Sequence, residues 1–208
     1  MKLYWSPKSP FVRKVMVFAH ETGLVDRLEL ERTVVALTRP NLPHVREHNP
    51  LGRIPTLLTD DGMYLPESVL ICEYLDSLHD GRPFFPRAPQ QRWASLRRHA
   101  LGSGLLETQI LWRNEALREE RYRLPAMLSA CETKAEATLD LLERQVEDLE
   151  KAPFDIGHIG VGCALGYLDY RSADFTDRRW RTGRDRLATW YETFRARPSA
   201  RATEPYDG

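Results

Sequence analysis

The chain has 208 residues, 42% of them apolar and 29% charged, with 30 basic side chains against 30 acidic ones. That length buries a sizeable core as one domain or two small ones. The charge balance, 9 basic against 11 acidic in residues 1–80 and 21 against 19 in the remainder, gives neither part the basic excess of a nucleic-acid or anionic-membrane binder.

No apolar run approaches the roughly 20 residues that cross a bilayer, so no membrane partner is expected. The N-terminus shows no signal-peptide pattern. Cys72, Cys131 and Cys163 are scattered, without metal-ligand or redox spacing. They read as small core residues of a protein in a reducing cytoplasm, and no metal is expected.

Strand and helix signals alternate through residue 80. Lys2 to Trp5 reads as a short strand, and residues 10–22 as a helix ending near Gly23. Leu28 to Val34 reads as a second strand, and Thr38-Arg39-Pro40-Asn41-Leu42-Pro43 as loop. Ile54 to Thr59 and Met63 to Leu65 form a hairpin around Asp60-Asp61-Gly62. Ser68 to Leu78 is helical, with Val69, Ile71, Cys72, Leu75 and Leu78 inward. The order is βαβ, a linking segment, then ββα, which predicts one parallel strand pair and an antiparallel addition.

Residues 81–89, with Pro83, Pro86 and Pro89 around Phe84-Phe85, exclude helix and read as a packed linker. Strand signals stop there. Helices are predicted over 90–118 and 125–150, the second with Leu128, Cys131, Ala135, Leu139, Leu142, Val146 and Leu149 in period. Residues 156–170 are apolar and rich in Gly160, Gly162, Ala164 and Gly166, which suits a helix buried at the centre of a bundle. Leu187, Trp190, Tyr191 and Phe194 mark a last amphipathic helix that Arg197-Pro198 ends.

Three segments carry chemistry. Ser9 stands at the N-cap of the first helix, with Pro10 at the first helical position. A hydroxyl is thus held beside unpaired backbone N–H groups at the positive end of a helix, where an anion such as a thiolate is favoured. Plain capping is the competing reading of Ser9. Asn49-Pro50-Leu51-Gly52-Arg53-Ile54-Pro55-Thr56-Leu57 puts a proline at the start of a strand, where its missing N–H is tolerated. The general frequency of cis X–Pro bonds, about 5%, argues from sequence alone for a trans bond. Glu67-Ser68 places a carboxylate and a hydroxyl at another helix N-terminus, where both can simply cap.

Taken in order, Ser6-Pro7-Lys8-Ser9-Pro10-Phe11-Val12-Arg13-Lys14, Asn49 to Pro55, Glu67-Ser68 with Ile71-Cys72-Glu73-Tyr74-Leu75, and Val161 to Asp169 resemble the glutathione transferase family over essentially the whole chain. The resemblance implies an α/β thioredoxin-like domain over 1–80 that binds glutathione, the linker 81–89, and an all-helical domain over 90–208 that contributes the electrophile site. It implies that Ser9 hydrogen-bonds the glutathione sulfur. Arg53 and Ile54 would meet the tripeptide, with Ile54 pairing its backbone with the cysteinyl part and Pro55 cis to present that backbone. Glu67 and Ser68 would hold the γ-glutamyl amine and carboxylate.

Trp5, Lys8, Gln109, Trp112, Arg113 and Tyr122 are the candidates for the electrophile site, and their aromatic members suit an apolar or aromatic substrate. The family also implies a homodimer. Serine at position 9, where redox-type relatives have cysteine, speaks against chemistry through a protein thiol. Ser6 remains a second hydroxyl in the same loop.

The functional expectation is a glutathione S-transferase: the stabilised thiolate attacks an electrophilic small molecule. The alternatives are a binding protein of the same fold without turnover, including a stringent-starvation-like one, and a glutathione-dependent isomerase or ether-cleaving enzyme. One local expectation follows from Asp155-Ile156-Gly157-His158, where the family's capping box has a carboxylate in place of His158. The helix starting there is expected to be undercapped, and His158→Asp to stabilise it.

Overall fold

A computed structural model describes residues 1–207 except 39 and 178, so Arg39, inside the segment read as loop, lies outside the described residues. The chain divides into two compact units, residues 1–85 together with residues from 198 onward, and residues 86–197.

The first unit opens with β1 (Lys2–Trp5), α1 (Pro10–Glu21), β2 (Glu29–Arg32) and α2 (Leu42–Glu47). It continues with β3 (Thr56–Leu58), β4 (Tyr64–Pro66) and α3 (Ser68–Asp76). The sheet order is β2-β1-β3-β4. β1 runs parallel to β2, with Leu3 opposite Leu30, and antiparallel to β3, with Leu3 opposite Leu57; β3 and β4 are antiparallel. This is the mixed sheet of the thioredoxin-like architecture, and the βαβ–ββα order is borne out.

Alternation along β1 sends Leu3 and Tyr4 to opposite faces. Leu3, Leu57, Val15, Phe18, Ile71, Cys72 and Leu75 are all fully buried, and α1 packs on α3. On the other face Tyr4 stacks with His48 of the segment after α2 at 4.5 Å and meets His44 at a tilt, at 5.2 Å. Burial and the Tyr64 hydroxyl raise the Tyr4 pKa to about 12. The hairpin turn at Asp61-Gly62 needs φ +90° at Gly62, open to glycine and costly for other residues.

Two features of this unit were not expected. α2 begins at Leu42, inside the segment read as loop, because Asn41 caps it and Pro43 falls in the first turn, where no N–H is required. The last amphipathic helix ends before Arg197-Pro198 as expected, but Pro198 then starts a further short helix, α9 (Pro198–Ala202). α9 packs on α1: the Arg13 guanidinium donates to the Ala200 carbonyl at 3.2 Å, and the Ser199 hydroxyl to Glu21. The linker is packed down, as its composition predicts. The Asp76 carboxylate accepts from the Phe84 and Phe85 N–H groups at 2.9 and 3.0 Å, and Phe84 meets Phe18 at 5.1 Å.

The second unit is all-helical among the described residues: α4 (Pro89–Ala116), α5 (Pro125–Arg144), α6 (Val146–Lys151), α7 (Ile156–Arg171) and α8 (Asp185–Arg195). The long apolar period over 125–150 is real but not one helix. Gln145, at φ −108° and ψ 13°, separates α5 from α6, and the stripe resumes with Val146 and Leu149 buried. α7 is buried along 156–168 and lies chiefly on α4. A Cβ on Gly102 would stand 2.4 Å from the Gly160 carbonyl, so the two helices approach backbone to backbone.

The undercapping expected at α7 is overturned. Asp155 accepts from the Gly157 and His158 N–H groups, and the box is closed by His158 itself. Its Nε2–H donates to the Leu149 carbonyl at 2.9 Å, and its Nδ1 lies 3.1 Å from the Asp155 nitrogen and 2.7 Å from Asp155 Oδ1. A neutral ring accepts from that N–H, and a protonated one donates to that carboxylate, so the ring is anchored in either state. Arg98 completes the cluster at 2.9 Å from Asp155 Oδ2. His158 reaches the Leu149 carbonyl, which a carboxylate could not satisfy.

All three cysteines are buried and free of disulfides. No helix among the described residues is long and apolar enough to cross a membrane.

Candidate functional site

The strand registers determine where the three motifs meet. Tyr4 lies opposite Thr56, and Thr56 opposite Pro66. The end of β1, the start of β3 and the end of β4 therefore lie at one edge of the sheet. β2, parallel to β1, ends there too, with Arg32 opposite Trp5. The Ser6–Ser9 turn, Ile54-Pro55 and Glu67-Ser68 all emerge at that edge.

The first loop is a closed turn. The Ser9 N–H donates to the Ser6 carbonyl at 3.1 Å. Ser9 is extended at φ −85° and ψ 118°, and its Oγ accepts from the Val12 N–H at 3.3 Å, with Pro10 in the first turn. The cap leaves the Ser9 hydroxyl proton available to a ligand, at the positive end of a twelve-residue helix. Ser6 is held differently: it is 8% exposed, and its Oγ accepts from the Lys8 N–H and from the Arg32 guanidinium.

The second segment contains a cis peptide bond at Ile54-Pro55, as the resemblance implies and the general frequency of such bonds does not. The bond sits on a built support. The Arg53 carbonyl accepts from His44 Nε2 at 2.9 Å, Asn49 Nδ2 at 3.2 Å and Thr56 Oγ1 at 3.0 Å. Asn49 also donates to Thr56 Oγ1 at 2.9 Å. The Arg53 side chain is exposed, while Ile54 is buried beside Tyr4 and Val12. His44 and Thr56 were not singled out from sequence. The signal for Thr56 was its place two residues from Ile54; His44 gave none.

At the third segment Glu67 is the one non-glycine residue with positive φ among the described residues, at 81°. Such a conformation costs on the order of 1–3 kcal/mol and persists where the surroundings impose it. The Glu67 carboxylate accepts from the Val69 N–H at 2.9 Å and from the Ser68 hydroxyl at 2.9 Å. Ser68 is 1% exposed, whereas Glu67 is open to solvent. A carboxylate, a hydroxyl and a helix N-terminus thus form one cluster, in which Glu67 caps α3 and accepts from Ser68.

The candidates for the electrophile site fall in both units. In the first, Trp5 is half-buried against the Tyr4 cluster, and exposed Lys8 pairs with Asp207 at 3.4 Å. In the second, Gln109, Trp112 and Arg113 follow one another on α4. Gln109 is fully buried and donates to the Ala164 carbonyl at 3.3 Å, which ties α4 to α7. Arg113 is paired with Asp174 at 2.6 Å. Trp112 is 6% exposed and meets Phe175 at 5.0 Å, on the wall of a cleft of about 610 Å³ within the helical unit. Tyr122 is open to solvent under the Arg121 guanidinium. Of this group Trp112 lines a cavity and Gln109 is a packing residue. No group of acids, histidines and cysteines among the described residues could hold a metal ion.

Residues 8–78 match the model of the glutathione S-transferase N-terminal domain, and residues 114–193 that of the C-terminal domain. A glutathione transferase family member from Pseudomonas fluorescens, solved with bound glutathione, is 39% identical, with a TM-score of 0.93 and 99% of each chain covered. A glutathione S-transferase from Methylobacillus flagellatus, also solved with glutathione, is 32% identical, with a TM-score of 0.85 over 99% of each chain. An uncharacterized GST-like protein of Escherichia coli, YibF, is 28% identical over 99% of this chain and 98% of its own length.

Proposed function

This chain belongs to the glutathione S-transferase family, and on that premise we propose that it binds glutathione at the sheet edge of its first unit and activates its thiol for attack on an electrophile. The observation that carries the reading is the convergence of Ser9, Ile54-Pro55 and Glu67-Ser68 at one edge, each presented by a cap, a cis bond or a strained backbone. The glutathione-bound relatives support it.

In this reading the Ser9 hydroxyl donates to the sulfur, Ile54 pairs its backbone with the cysteinyl unit, and Arg53 lies at its flank. Glu67 takes the γ-glutamyl ammonium, while Ser68 and the N-terminus of α3 take its carboxylate. A free thiol titrates near 8.5, so most of it is protonated at neutral pH. A hydroxyl donor and a helix N-terminus both favour the thiolate, which is the nucleophile. The thiol proton goes to solvent, sulfur forms a bond to the electrophilic carbon, and the leaving group departs with its electron pair.

The electrophile is an apolar or aromatic small molecule. The working form is a homodimer.

Titration calorimetry with reduced glutathione, followed by turnover with a generic aryl halide, tests the reading. Saturable binding with turnover is expected. No binding at millimolar glutathione would end the reading, and binding without turnover on a panel of electrophiles would favour a non-catalytic binder.

A further inference from the structure

Arg32 has no part in the motifs that carry the family resemblance. It lies at the end of β2, and three observations connect it to the site. The parallel register sets it opposite Trp5, the residue from which the first loop departs. The ladder continues one step further, with the Thr33 N–H donating to the Trp5 carbonyl at 2.8 Å, so the base of the Arg32 side chain is fixed against that loop. Its guanidinium reaches across and donates to Ser6 Oγ.

Ser6 in turn holds the loop at two points: its carbonyl accepts from the Ser9 N–H at 3.1 Å, and its Oγ accepts from the Lys8 N–H at 3.4 Å. Ser6 is nearly buried, so its rotamer determines the shape of the turn.

We propose that Arg32 is a positioning residue for the thiolate site, acting through Ser6 to fix the turn that aims the Ser9 hydroxyl. The inference rests on the glutathione reading above. It also separates the two hydroxyls of the loop. Ser6 is nearly buried and bonded to Arg32 and Lys8, so Ser6 shapes the turn, and Ser9, more open at the cap of α1, meets the sulfur.

The consequence is selective. A turn that aims the Ser9 donor matters more to the thiolate than to a thioether, because a hydrogen bond to the charged form is the stronger one. Arg32→Ala therefore raises the pH midpoint of the bound thiolate by about half to one unit, and kcat falls with it. Affinity for S-methylglutathione, which has no ionisable thiol, changes by less than about twofold. Arg32→Lys keeps the charge but not the planar fork, so it restores part of the shift. Ser6→Ala raises the midpoint in the same direction, and the double variant goes no further than the larger single effect, because the two act as one unit.

The experiment is a near-ultraviolet pH titration of the glutathione complex for native protein and these four variants, alongside calorimetry with S-methylglutathione. The pattern above supports the proposal. An Arg32→Ala midpoint equal to the native one, shifts that add in the double variant, or an equal loss of S-methylglutathione affinity would each overturn it. A native complex whose thiol titrates like the free tripeptide would instead sink the transferase reading and the role of Arg32 with it.

Discussion

Ser9 and Glu67 make the first test at the scale of single residues. Ser9→Ala removes the proposed donor to sulfur and one helix cap, so turnover should fall more than glutathione affinity, and the bound thiol should titrate closer to its solution value. Steady-state kinetics beside calorimetry reads both. Glu67→Ala should weaken glutathione binding by about 1.5–3 kcal/mol, the range for a hydrogen bond to a charged group; calorimetry showing an unchanged affinity would remove Glu67 from the site. His158→Asp should destabilise the protein by about 2–4 kcal/mol in urea melts at pH 7, because it sets a second carboxylate against buried Asp155 and orphans the Leu149 carbonyl. The Asp155 carboxyl sits below its ordinary value: burial pushes it up, but the hydrogen bond and charge of His158, then Arg98, outweigh burial. Its folded pKa is the lower one, so its contribution is complete above the unfolded value of about 3.9 and is lost as pH falls through the folded value. Arg98→Met should shift that acid loss to higher pH in melts taken between pH 5 and 2. The His158 cluster was illegible in the sequence for a physical reason. Its partners are a carbonyl nine residues back and a guanidinium on another helix, and neither leaves a local pattern. The caps at Ser9 and Glu67 were legible because each uses its own backbone neighbourhood.

At the scale of elements, long periodic segments were legible and their interruptions were not. The apolar stripe of 125–150 was correct in phase, yet the break at Gln145 leaves that phase intact and so has no signature in hydrophobic period. α2 was hidden because Pro43 reads as a breaker, although in the first turn a proline is tolerated. The start of α9 at Pro198 has the same cause. The small residues of α7 were read as signs of burial, and the structure adds what they touch. Gly102 of α4 faces the backbone of Gly160. Gly102→Ala should therefore destabilise the helical unit by about 1–3 kcal/mol through overpacking, whereas Gly104→Ala, with open space around its Cβ, should stabilise α4 by up to about 1 kcal/mol. Paired denaturant melts check the contrast, and equal effects at the two positions would contradict the close approach of α4 and α7.

For the whole molecule, the loss of strand signals and the cluster of prolines in residues 81–89 mark the change from alternating strands and helices to helices alone. The return of the chain past residue 198 to the first unit leaves no such mark, because it depends on Arg13 finding a carbonyl far away in sequence. The homodimer proposed here should appear in light scattering as twice the mass of one 24.1 kDa chain at micromolar concentration, and a mass of one chain would contradict it. The central claim is that the sheet edge of the first unit holds glutathione as its thiolate. Its most direct measurement is the near-ultraviolet absorbance of the native complex as a function of pH. A thiolate that persists about one unit or more below the free thiol value of about 8.5 is the predicted result, and a bound thiol that titrates at the solution value would contradict it.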